Sequence, residues 1–208
     1  MNCKLSTNLL VGSLTLRSQS DTRERLLEAA EQLFTERGFG AVGVKDIAQA
    51  VGIHHASLYH HSPGGKEELF VEVIKRGLHR HLTGITAAIT SEEGNLRAQL
   101  RAIAAWLLSH PPIDLLRLAL SDMPQIDPEY ADEISTLAHD ALIEPIHMAL
   151  RAARDRGEIA VLDLGNVAGA IFASVEALHT IPSMYLIKTR YEMACDLIDI
   201  FIRGMRPE

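Results

Sequence analysis

The stretch Val-Lys-Asp-Ile-Ala-Gln-Ala-Val-Gly-Ile-His-His-Ala-Ser-Leu-Tyr-His-His, residues 44–61, constrains this chain more than any other, because it holds two short helical patterns hinged on one glycine. Val44, Ile47, Ala48 and Val51 recur at helical spacing and give a first helix of about two turns with one apolar face. Gly52 can take the left-handed conformation that stops a helix sharply, and Ile53 can tuck into the turn. A second helix follows from His54, with Leu58 inward and the hydrogen-bonding side chains of His55, Ser57, Tyr59 and His60 outward. A helix held across another in this way can enter the major groove of DNA; a purely structural corner would present apolar residues there instead.

The flanks extend the pattern. Thr22-Arg23-Glu24-Arg25-Leu26-Leu27-Glu28-Ala29-Ala30 leads to Leu33-Phe34 and Arg37-Gly38-Phe39; later come Val44-Lys45-Asp46-Ile47-Ala48, Gly52-Ile53, Ser57-Leu58-Tyr59-His60-His61 and Pro63-Gly64-Gly65-Lys66-Glu67-Glu68-Leu69. In this order, from Asp21 to Ile74, the chain resembles the TetR-type transcriptional regulators. It departs from them at Gly43, where the family usually caps the helix with Ser or Thr, at Ser62, where an aromatic is common, and at His54-His55. The resemblance implies an all-α fold: a leader (1–20), a three-helix helix-turn-helix DNA-binding domain (21–66) and a helical effector-binding and dimerisation domain (67–208). It implies His54, His55 and Ser57 at base edges, with Ala56 allowing close approach to the groove. Thr22, Lys45, Tyr59, His60 and Lys66 would face the phosphates, Lys66 from a helix N-terminus.

The charge distribution allows this. The formal net charge is −7, yet residues 1–79 hold nine Lys/Arg and nine Asp/Glu, so the acidity lies in the remainder. A neutral module binds DNA when its few cations face the phosphates, with salt-sensitive affinity. Cys3 and Cys195 are far apart, which speaks against a disulfide and fits a reducing cytoplasm. No apolar run reaches the length of a membrane span, and Leu9–Leu16 is interrupted by Ser13 and Thr15, unlike a signal peptide.

Asp21 and Glu24 have the spacing of a capping box opening the first helix, whose inner face is Leu26, Leu27, Ala30, Leu33 and Phe34, with Arg23 and Arg25 outside. After Pro63-Gly64-Gly65 a long helix runs out of the N-terminal domain and can couple the two parts. Beyond Leu82 the pattern stays helical: 96–110, 113–123, a segment from Pro128 interrupted at Pro145, 146–156, a helix from Asp163 or Asn166 to about Leu178, and 189–205. Gly165, Gly169, Ala173 and Ala177 line one stripe at four-residue intervals, and Val167, Ile171, Val175 and Leu178 the opposite side. The last helix carries Ala194, Leu197, Ile198, Phe201 and Ile202, so the last two helices are expected to form a homodimer.

Polar groups scattered among apolar helices, namely His110, His139, His147, Glu176 and His179 with Trp106, Met123 and Phe172, are expected to line the pocket of an unidentified small-molecule effector. No metal site and no cofactor is expected: the histidines lack ligand spacing, and there is no HExxH, phosphate loop or nucleophile motif. The expected function is a dimeric DNA-binding regulator, a repressor released from a palindromic operator by its effector. The alternative is a helical enzyme or small-molecule-binding protein using the histidines for acid–base or metal chemistry. Four histidines in or beside the second helix also predict that operator affinity rises as pH falls from about 8 to about 6.

Overall fold

The computed structural model describes the backbone of residues 6–160 and 163–207, and the side chains among them from Asp21 onward. The described residues are helical with turns and no strand. They comprise α1 (Ser6–Ala41), α2 (Val44–Val51), α3 (His55–His61), α4 (Gly65–Ser91), α5 (Leu96–Leu108), α6 (Leu115–Arg117), α7 (Pro128–Ala138), α8 (Glu144–Asp155), α9 (Leu164–Ala177) and α10 (Arg190–Gly204). None of these helices is long and apolar enough to cross a membrane.

The chain forms two compact units. The first takes the residues up to Arg76 together with Leu116–Ile134; the second takes Gly77–Leu115 and Ser135–Glu208. The boundary falls inside α4, and the first unit recruits a segment that the sequence pattern alone assigns to the second domain.

In the first unit the amphipathic patterns close on one core. Leu26, Leu27, Ala30 and Phe34 of α1, Ile47, Ala48 and Val51 of α2, Leu58 of α3, and Leu69 and Phe70 of α4 are buried. Phe70 meets the edge of Phe34 at 5.1 Å between centroids and Phe39 at 4.9 Å, arrangements that add to the area these rings bury. Helix α1 is already running at Asp21, so Asp21 opens no helix and the expected capping box does not form; no proline interrupts residues 6–20. Residues 1–5, including Cys3, lie outside the described residues.

Two arginines on the outer side of α1 reach across to the ends of other helices. Arg25 donates to the carbonyl of Val51, the last residue of α2, at 2.8 Å. Arg23 donates to the carbonyl of His61, the last residue of α3, and pairs with Glu68 and Glu72. Each guanidinium thus sits where a helix leaves its carbonyls unpaired and its dipole is negative.

The α6 segment explains why 116–134 belongs to the first unit. Arg117 donates to the carbonyls of Phe34 at 3.2 Å and Thr35 at 3.0 Å, and Asp122 accepts the buried backbone N–H of Phe39 at 2.9 Å. Gly38 at φ 76° lets α1 break beside this contact. Helix α6 continues as a widened π-turn, Leu118–Asp122, and a tight turn, Met123–Gln125. A second π-turn, His139–Ile143, precedes α8. Both end two residues before a proline, Pro124 and Pro145, whose ring would collide with a carbonyl of the preceding turn. Pro145 is therefore a fresh helix start reached through a widened turn.

In the second unit α5 is central: Leu96, Leu100, Ile103, Ala104 and Leu107 are buried, and α8, α9 and α10 all pack against it. Arg97 and Arg101 hold Asp199 of α10. Asn95, Asp163 and Thr189 cap α5, α9 and α10, Thr189 in a reciprocal box with Glu192.

Candidate nucleic-acid interface and effector-pocket residues

The helix-turn-helix is built by glycine and capping chemistry. Gly43 caps α2 without a side chain: the Asp46 carboxylate accepts the Gly43 N–H at 2.8 Å, and the Asp46 N–H donates to the Gly43 carbonyl at 3.0 Å in place of a capping hydroxyl. Gly52, at φ 77°, stops α2, and the Ile53 N–H bonds the Ala48 carbonyl at 3.0 Å. The second helix starts one residue later than the pattern implies: His54 is extended and precedes α3 as its cap, its Nδ1 accepting from the Ala56 N–H at 3.4 Å. An imidazole in that role carries no proton on Nδ1. At the far end Ser62, fully buried, donates to the Gly65 carbonyl at 3.2 Å. A hydroxyl that closes the turn fills the position where an aromatic is common.

This leaves one surface of hydrogen-bonding groups. His54, His55, Ala56, Tyr59 and His60 are exposed, Ser57 is half-buried, and Leu58 alone points to the core. The His54 and His55 rings lie 4.4 Å apart, and Tyr59 rests against Gly65, where an added Cβ would come within 3.0 Å of its ring. Lys45 is exposed on α2, and Thr22 is half-buried on α1. Lys66 is different. Its ammonium donates to the Phe39 carbonyl at 3.0 Å, lies 3.8 Å above the Phe39 ring, and has its pKa lowered by burial. The side chain is half-buried, and its ammonium is tied to the Phe39 carbonyl in this arrangement.

The residues expected to line an effector pocket do not form one group. Met123 belongs to the first unit, because the α6 segment follows Arg117 and Asp122 there. His139 is exposed beside Asp140, and His147 is half-exposed with Glu144 at 3.1 Å. Phe172 is buried on α9. Trp106 and His110 do stack, with centroids 3.7 Å apart, and His179 reaches the Leu107 carbonyl at 3.3 Å. Glu176 accepts the Ile113 N–H at 3.1 Å; burial, partly offset by that bond, pushes its pKa up to about 7.

His81 completes the Trp106–His110 cluster and is not among the residues expected from sequence. It is buried, its ring 6.0 Å from His110 and 6.5 Å from Trp106, and burial with the nearby His110 and Arg80 lowers its pKa to about 4. The spacing of His79 and His81 is the sequence signal: residues two apart on a helix face different ways, and here the second faces inward. Trp106 itself occupies the space beside Gly84. Arg117 and Asp122 carry no comparable signal, since their partners lie about eighty residues earlier in the chain.

The family described as bacterial regulatory proteins, tetR family, matches residues 26–73. The chain is 32% identical over 106 residues to the HTH-type transcriptional regulator LmrA of Bacillus subtilis, covering 50% of this chain and 56% of that one. It is 36% identical over 119 residues to the HTH-type transcriptional repressor KstR2 of Rhodococcus jostii, covering 57% and 53%. The chain therefore spans about half the length of these curated relatives. Among solved structures it is similar to the TetR family transcriptional regulator PfmR from Thermus thermophilus, with a TM-score of 0.64, 27% identity and coverage of 88% of this chain and 100% of that one. These relatives are named as transcription regulators, not enzymes. The helix-turn-helix segment, residues 26–73, is thus that of the tetR family of bacterial regulatory proteins.

Proposed function

We propose that this protein is a ligand-responsive transcriptional repressor that binds a palindromic operator as a homodimer. The carrying observation is the outer face of α3: every side chain there except that of Ala56 can donate or accept a hydrogen bond, and α3 is held across α2 by Gly52. In this reading His54, His55 and Ser57 read base edges, and Tyr59, His60, Lys45 and Thr22 bond the phosphates and fix register. A single seven-residue helix contacts few base pairs, so two copies spaced by one turn of DNA, about 34–36 Å, are needed for a specific site.

The dimer in this reading forms through α9 and α10. The stripe of Gly165, Ala173 and Ala177 is exposed and Gly169 half-buried, while Ala168, Ile171, Phe172 and Val175 turn into the second unit. Small residues on an exposed face let a second pair of helices approach closely, and α10 exposes Ile200 as further apolar area. The effector acts by favouring one of two states with different DNA affinity.

The test is selection of bound fragments from a random duplex library by the purified protein, with sequencing of what survives a salt wash. Enrichment of a palindrome, lost in His55→Ala and in a dimer-breaking Ala173→Arg variant, is the expected result. No enrichment from a folded dimer at low salt overturns the reading.

A further inference from the structure

The second unit has a groove of about 540 Å³ between the second half of α4 and α8, of a size suited to a small organic molecule. None of the residues expected from sequence to line an effector pocket borders it. Its walls are apolar: Leu82 and Ile89 come from α4, Pro145 and Met148 from α8. Met148 is 48% exposed, an unusual position for a large thioether unless something covers it.

The polar lining comprises the hydroxyls of Thr86 and Thr90, the Gln99 amide and four charged groups, three of them carboxylates. Glu93, Asp140 and Glu144 border it with one guanidinium, Arg156, and Arg156 is already paired with Glu158 at 2.6 Å. Among the described residues Glu93 has no partner, Asp140 has only the distant contact to His139 at 3.7 Å, and Glu144 meets His147 at 3.1 Å. Gln99 also borders the groove and is 5% exposed. Its Nε2 donates to the Ile89 carbonyl at 3.0 Å, which fixes the amide's orientation and leaves Oε1 buried without a partner. A buried acceptor without a donor is costly, and native structures rarely leave one without a role.

We propose that this groove binds an amphipathic organic cation, its apolar body between Leu82 and Met148 and its charged head against Glu93, Asp140 and Glu144. An anion would meet three carboxylates with one paired arginine to offset them, and a neutral apolar molecule would leave the three carboxylates without a counter-charge. The proposal rests on the ligand-responsive reading above and gives its effector a chemical class. Helix α4 begins in the first unit and ends at this groove, so an occupant acts on a helix that both units share.

The experiment is calorimetric titration of the full-length protein, without DNA, with tetraphenylphosphonium and with tetraphenylborate, two ions of nearly the same shape and opposite charge. The cation is expected to bind once per chain and the anion at least roughly tenfold more weakly. The Glu93→Gln, Asp140→Asn, Glu144→Gln triple variant should weaken the cation by roughly tenfold or more, and Met148→Arg, at an exposed position, should abolish binding. Circular dichroism confirms that each variant is folded. Equal binding of the two ions, or cation binding untouched by the triple variant, overturns the proposal. The two readings fail separately: cation binding by a protein that enriches no DNA sinks the regulator and leaves the site, whereas DNA enrichment without cation binding does the reverse.

Discussion

Asp122 is the residue whose removal tests the first unit most directly. Its Oδ1 accepts the Phe39 N–H at 2.9 Å, its Oδ2 lies 3.5 Å from Arg117 Nε, and it is 3% exposed. In Asp122→Ala the Phe39 N–H stays buried with no acceptor, a loss of about 1–3 kcal/mol, and a small further loss follows from Arg117, which keeps the Phe34 and Thr35 carbonyls and is about a third exposed. Asp122→Asn keeps an oxygen for the same N–H and should cost about half as much. Trp106, the one tryptophan, belongs to the second unit, so its fluorescence reports that unit while far-UV circular dichroism reports both. In urea, with a slope of about 1–2 kcal/mol/M for a unit of this size, the alanine variant should lower the dichroism midpoint by about 1–2 M. The fluorescence midpoint should move less. An alanine variant that unfolds with the wild type, or no more easily than the asparagine variant, refutes the assignment of Asp122 as the acceptor that holds α6 to α1.

The same physics gives further outcomes. Gly84→Ala would place a Cβ 1.9 Å from Trp106, so it should destabilise the second unit by about 1–3 kcal/mol or more, and Trp106→Leu in the same chain should recover part of that in a thermal melt. Lys66→Ala should leave the salt dependence of DNA affinity unchanged, whereas Lys45→Ala should lower the slope of log K against log salt by about one; a reversed result would return Lys66 to the phosphate backbone. Glu176 holds a proton in the folded state that the unfolded chain releases between pH 4.5 and about 7, so its contribution to stability falls as pH rises through that window. Glu176→Gln should remove that slope in urea titrations at several pH values. His81 runs the other way, neutral when folded and protonated when unfolded between about 4 and 6.5, so stability is lost as pH falls, and His81→Asn should remove that loss.

What the sequence made legible is what a single helix decides for itself. The α2 pattern, the Gly52 stop and the inward Leu58 follow from periodicity and φ preference, and the structure has them at those residues. The cap at Asp163, one of the two starts the pattern allows for α9, follows from side-chain reach over three residues. The start of α1 was not legible, because a capping pair such as Asp21 and Glu24 marks a helix start only if the preceding residues leave the helix, and here they continue it.

The partners of Arg23, Arg25, Lys66 and Arg117 were hidden for a related reason. A basic residue on an amphipathic helix is assigned to solvent because its own element gives it no partner. These four find theirs on backbone carbonyls of other elements: Val51, His61, Phe39, and Phe34 with Thr35. Such acceptors exist only once helix ends have been brought together, and no side-chain pattern encodes them. A count of basic residues therefore overstates the positive charge that the first unit can present to a phosphate backbone. Of the nine lysines and arginines in residues 1–79, Arg23, Arg25 and Lys66 direct their charge at carbonyls, and Arg76 is held by Glu24 and Glu72. In the proposed operator contact the electrostatic part rests on fewer cations than the nine, Lys45 among them, and the specificity comes mainly from the hydrogen-bonding face of α3. A shallow salt dependence alongside sharp sequence selectivity is the combination that this distribution of charge requires.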